Sequence, residues 1–117
     1  MSPKDRAAPC TPNDVLRGTL DLLILKALSL EPMHGWAITQ RLEQLSREAL
    51  RVGQGSLYPA LQRLEEKGWI DSEWRATDQG RKAKYYELTA SGRRALGQEQ
   101  ESWHRYVDMV EGILRTV

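Results

Sequence analysis

The sequence predicts a mainly α domain that carries a small β-hairpin and ends in a long helix. Three observations predict it. Apolar residues recur at helical spacing in three successive segments, each bounded by a capping or breaking residue. Over residues 69–88 the pattern changes to alternation across a short Gly-containing loop. Beyond it, apolar residues recur every seven positions almost to the end of the chain.

At 117 residues one domain is expected, with a flexible tail at 1–12, a body at 13–88 and an appended helix at 89–117. Apolar residues make up 40% and charged residues 28%, which excludes wholesale disorder. No stretch approaches the ~18 consecutive apolar residues of a membrane span. The opening MSPKDRAAPCTP lacks the apolar core of a signal peptide. A single cysteine, Cys10, cannot close an internal disulfide. A cytoplasmic protein without a membrane partner is expected.

The first helix is expected to start near Asn13, a good N-cap, with Asp14 placed to meet the helix dipole. The following VLRGTLDLLILKALSL is apolar on nearly every side. Leu16, Leu20, Leu23, Ala27 and Leu30 form one stripe, and Val15, Leu22 and Ile24 lie off it. A helix apolar all round is buried on more than one face, so its second face is expected to meet another chain. Glu31-Pro32 ends it, because the residue before proline disfavours the helical conformation.

A second helix is expected from about Gly35 to Ser46, with Ile38, Leu42 and Leu45 inward. A third starts near Gly55-Ser56, where Ser56 can cap and Pro59 falls in the first turn. Its inward face is Leu57, Leu61 and Leu64, and Gly68 supplies the stop. In GWIDSEWR, Ile70, Ser72 and Trp74 point one way and Asp71 and Glu73 the other. ATDQG makes the loop and RKAKYYEL the return strand. Thr89 and Ser91 are candidate caps for a last helix reaching about Leu114.

Three helices followed by a two-stranded hairpin is the winged helix-turn-helix arrangement, in which the third helix enters the DNA major groove and the hairpin is the wing. Steps of 100° per residue put Gly55, Pro59, Gln62 and Glu66 opposite the leucines, flanked by Ser56, Tyr58 and Arg63. Gln62 can pair with adenine, and Arg63 can contact guanine or phosphate. Ser56, Tyr58 and the free N–H groups at the helix start suit phosphate oxygens. The net charge is only +1, but residues 75–84 carry four basic groups against one acid, hence +3. Arg81, Lys82 and Lys84 surround Gly80 where a wing would meet DNA. The plainer alternative for each feature is an ordinary solvated surface.

In the last helix Leu96, Trp103, Val110 and Val117 are seven apart, with Val107 and Leu114 between them and Tyr106 and Ile113 widening the stripe. About 26 helical residues span roughly 39 Å, longer than a small core can cover, so this helix is expected to make a homodimer. The expected dimer surface is Leu16, Leu20, Trp103, Val107, Val110 and Leu114. Two Trp103 side chains meeting near a twofold axis would pack imperfectly and leave a slot for a planar aromatic effector. Simple interface packing is the alternative. Catalysis finds no support. Only His34 and His104 are histidines, and no metal-ligand spacing or phosphate-binding Gly loop is present, so neither metal nor cofactor is expected.

Four segments in order resemble the PadR-like transcriptional regulators of the short type, with a single C-terminal helix. They are Leu20-Asp21-Leu22-Leu23-Ile24-Leu25, His34-Gly35-Trp36-Ala37-Ile38, the run from Gly55 to Glu65 with Gly68 and Ile70, and the run from Gly80 to Thr89 with Gly92 beyond. The likeness covers about Leu16 to Leu114. Trp36 stands where that family often has Tyr. The resemblance implies a homodimeric bacterial regulator, usually a repressor, acting on double-stranded DNA at an inverted-repeat operator. It implies that the last helix and the first make the dimer, and that some members release DNA on binding aromatic compounds there. A winged-helix protein-interaction adaptor, with the same fold and no DNA affinity, is the rival, and the near-neutral charge favours it.

Overall fold

A computed structural model describes residues 18–116. The expected tail, Cys10, the helix start at Asn13, Val15, Leu16 and Val117 lie outside the described residues. Among those described, α1 spans Thr19–Leu30, β1 Met33–His34, α2 Gly35–Leu45, α3 Gln54–Glu66, β2 Ile70–Ala76, β3 Lys82–Leu88 and α4 Ala90–Leu114.

The core forms where the three short helices meet the sheet. Ile24, Leu25 and Leu28 of α1, Ile38 of α2, Leu57, Leu61 and Leu64 of α3, and Ile70 of β2 are its fully buried large side chains. Each contributes about 1.5–3 kcal/mol relative to exposure. The inward face of α1 is Ile24, Leu25, Ala27 and Leu28. Within the stripe expected from the sequence, Leu20 and Leu23 are only half-buried and Leu30 is exposed. An all-round apolar helix carries no strong preference for one face, so its neighbours decide the rotation.

Glu31 is fully extended before Pro32 and ends α1. His34 caps α2, its Nδ1 accepting from the Ala37 N–H at 3.2 Å. Ile38 and Leu42 face inward as expected, but Leu45, the last residue of α2, is exposed. Thr39 takes the buried place, and its hydroxyl donates to the Trp36 carbonyl at 2.7 Å.

Gly53, not Ser56, caps α3, and its carbonyl accepts from the Ser56 and Leu57 N–H groups. The helix therefore starts earlier than expected, and Pro59 falls in its second turn. There the proline leaves the Gly55 carbonyl without its helical partner. The stop is as expected: Gly68 is left-handed (φ 77°), and the Trp69 N–H reaches back to the Leu64 carbonyl.

The sheet has three antiparallel strands in the order β1-β3-β2, not two. Two-residue β1 is too short to show alternation, and it pairs Met33 with Tyr86 and His34 with Tyr85. In the hairpin Ile70 faces Leu88, Ser72 faces Tyr86 and Trp74 faces Lys84. Ile70, Ser72 and Trp74 thus share a face. Ile70 is buried, Ser72 half-buried and Trp74 exposed, because the hairpin extends past the helical body. Left-handed Gly80 (φ 81°) and the Thr77 N–H donating to the Arg81 carbonyl at 2.6 Å close the tip.

Thr89 caps α4, accepting from the Gly92 N–H at 3.0 Å and donating to the Gly68 carbonyl at 2.7 Å. The 25 residues of α4 reach about 37 Å and lie beside α1. No helix among the described residues is long and apolar enough to cross a membrane.

Candidate nucleic-acid interface

The buried leucines of α3 turn Gly55, Tyr58, Pro59, Gln62, Arg63 and Glu66 outward, and Ser56 is half-buried at the helix start. Among the described residues nothing lies within 4 Å of where a Cβ on Gly55 would stand. Its φ is not positive, so neither crowding nor backbone conformation accounts for a glycine there.

Tyr58 leans over the first residue of α2, where a Cβ on Gly35 would meet its hydroxyl at 2.8 Å. Between Tyr58 and the hairpin lies an open hollow of about 840 Å³, rimmed by Arg81, Lys82 and Lys84. The structure thus brings four of the sequence-selected residues around one surface. Gln62 is exposed farther along α3, outside that hollow.

Two selected cations have partners in the chain. The Arg63 guanidinium lies 2.9 Å from the Asp21 carboxylate of α1. Lys84 lies 4.0 Å from Glu65, whose other oxygen accepts from the Ser72 hydroxyl at 2.6 Å. Glu65 thus links α3 to both long strands. Arg81 and Lys82 sit exposed at the hairpin tip. Beside this network the Tyr86 phenol is pushed above its ordinary value of 10.0, by burial first, then by the Glu65 charge and by Tyr58.

Trp36, Trp74 and His34 line the same hollow, and the sequence did not single them out for it. Alternation gave the direction of Trp74. Its exposure depends on where the helical body ends, which is a tertiary fact.

A second surface runs along α4. Leu20, Trp103, Val107 and Val110 are half-buried and Leu114 is exposed, as are Tyr106, Met109 and Ile113. Trp103 and Tyr106 pack with ring centroids 6.0 Å apart. They line a hollow of about 400 Å³ with Gly18, Thr19 and Leu22 of the α1 side. A smaller apolar hollow of about 290 Å³ adjoins it, lined by Leu22, Leu23, Leu96 and Trp103. Among the described residues no group of three or more His, Cys, Asp or Glu could hold a metal ion.

Known proteins share this architecture. The Transcriptional regulator PadR-like family matches residues 24–98. The transcriptional regulator Rv3488 of Mycobacterium tuberculosis is 40% identical over 86 residues, covering 74% of this chain and 77% of its own. A PadR family transcriptional regulator from Eggerthella lenta superposes with a TM-score of 0.74 at 35% identity, covering 86% of each chain. A transcriptional regulator from Clostridium thermocellum gives a TM-score of 0.79 at 26% identity over 87% of this chain and 99% of its own. With the winged-helix fold, the four ordered segments and the family match over 24–98, this chain belongs to the PadR-like family of transcriptional regulators.

Proposed function

We propose that this chain binds double-stranded DNA as a homodimer and represses transcription from an inverted-repeat operator in the cytoplasm. The observation that carries this is the hollow that Tyr58, on the exposed face of α3, shares with Arg81, Lys82 and Lys84 of the hairpin. Residues 13–88 serve as the DNA-binding unit and 89–117 as the dimerisation helix. Gln62 reads base edges, Ser56 and Tyr58 hold phosphates, Arg63 contacts guanine or phosphate, and Arg81, Lys82 and Lys84 hold the wing on the backbone. The local +3 of residues 75–84, at the outer end of the hairpin, outweighs the overall +1 for this purpose, because phosphate contacts act over short, screened distances.

Dimerisation covers the apolar stripe of α4 and sets the spacing of the two copies of α3. A planar aromatic effector beside Trp103 would change that spacing, by no more than its differential affinity for the two dimer geometries. Calorimetric titration of planar aromatic compounds into wild type and Trp103→Ala tests this, and binding that survives the substitution removes it.

Gel-shift titration with the DNA upstream of the chain's own gene, against scrambled competitor, tests the main assignment. A retarded band resistant to competitor is expected. No shift even at low salt would favour the adaptor alternative.

A further inference from the structure

We propose that Trp36 and Trp74 form an aromatic clamp on one sugar–phosphate strand of the bound duplex; this rests on the DNA-binding function above. Trp36 is 63% exposed and Trp74 68%, large apolar surfaces left uncovered by the described residues. Both indoles line the hollow that Tyr58 shares with Arg81, Lys82 and Lys84. Neither sits on a loop. Trp36 is in the first turn of α2 and stacks on His34 at 6.4 Å, and His34 is itself fixed as the helix cap. Trp74 is held in register opposite Lys84. Two rings on rigid elements lose little freedom on binding.

The chemistry around them identifies the occupant. Arg81, Lys82 and Lys84 supply charge for phosphates, and the indole faces supply apolar area for the sugars between them. Each indole N–H adds one donor for a phosphate oxygen. The hollow lies between the helix assigned to the major groove and the hairpin assigned to the backbone, where a sugar–phosphate strand bordering that groove would pass. A neutral ring displaces no condensed counterion, so its loss weakens binding without changing the salt dependence, whereas a lost cation contact flattens that dependence by about 0.9.

The test uses the full chain and an operator fragment located by gel shift. Affinity is measured by fluorescence anisotropy over a salt series for Trp36→Ala, Trp74→Ala and Arg81→Ala, with circular dichroism to verify folding. Each tryptophan variant is expected to bind about tenfold more weakly with the wild-type salt slope, and Arg81→Ala with a flattened slope. In a Trp69→Phe/Trp103→Phe background, DNA is expected to quench the two remaining indoles. Wild-type binding with both tryptophan variants within about twofold, or slopes that fall as in Arg81→Ala, overturns the clamp alone. A wild type that binds no DNA overturns the DNA-binding function and the clamp with it.

Discussion

Arg63 of α3 and Asp21 of α1 are joined at 2.9 Å, and the carboxylate is mostly enclosed, with its side chain 14% exposed. The candidate DNA-facing helix is thereby tied to the helix that runs beside α4. Arg63 is itself half-exposed, so the pair is worth under about 1 kcal/mol.

The two residues therefore separate bracing from DNA contact. Arg63→Ala is expected to weaken operator binding about tenfold, the loss of one charge-assisted contact. Asp21→Asn frees the guanidinium, lowers stability by under about 1 kcal/mol and leaves operator affinity within about twofold. Thermal melts and anisotropy titrations of both variants measure this. Equal losses of affinity would make Arg63 a brace rather than a contact.

Gln62 and the hairpin tip differ in what they can recognise. Arg81→Ala with Lys82→Ala is expected to weaken binding to all sequences alike and to flatten the salt slope by about 1.8, two phosphate contacts. Gln62→Ala is expected to relax base preference at one position by about 1–3 kcal/mol with the slope unchanged. Binding to a panel of single-base operator variants at several salt concentrations distinguishes them. If both changes shift specificity equally, the division of labour between α3 and the hairpin is wrong.

What the sequence disclosed follows from range. The inward leucines of α3, the Thr89 cap and the left-handed Gly68 stop depend on residues within one or two turns, and they stand where periodicity and capping preferences placed them. The β1 strand, the rotation of α1 and the exposure of Leu45 and Trp74 depend on distant neighbours. So do the partners of Arg63 and Lys84: Asp21 is 42 positions from Arg63, and no spacing rule connects them.

Gly92 lies against the carbonyl of Trp69, so closely that a Cβ there would fall well inside contact distance of that backbone oxygen. A backbone atom held by the Thr89 N–H cannot swing away as a side chain can. Gly92→Ala is therefore expected to cost about 1–3 kcal/mol or more by forcing α4 off the body. For a domain of this size the melting temperature falls by several degrees. Gly97→Ala is the control, since no described residue lies within 4 Å of a Cβ there, and it should not lower stability. Equal melting of both variants would contradict the close approach.

Burial raises Tyr86 above its ordinary value of 10.0, so the folded chain favours the neutral phenol. The unfolded chain releases this proton first as pH rises. The contribution is thus complete below about pH 10 and is lost as pH climbs through the folded-state value. Melting temperatures between about pH 9 and 11 are expected to fall for the wild type and to fall less steeply for Tyr86→Phe. Parallel profiles would assign the alkaline loss to other groups.

Val110 lies midway along the apolar stripe of α4, between Tyr106 and Met109 on one side and Ile113 and Leu114 on the other. Leu114 is 76% exposed and Ile113 64%, so the stripe's far end is left open by the described residues. A contiguous apolar strip of this kind marks a partner surface. In a dimer, Val110→Asp would bury an unpaired carboxylate, which costs more than a few contacts can return. The variant is expected to sediment as a monomer while keeping its helical content, because Val110 lies beyond the core. Operator binding is expected to fall with it, since a lone half-site forgoes the second set of contacts about 34–36 Å away. Sedimentation velocity and anisotropy on the same sample read both effects. A dimer of unchanged mass would place the interface on another face, and a monomer with undiminished affinity would mean that one copy of α3 and its hairpin suffices for the operator.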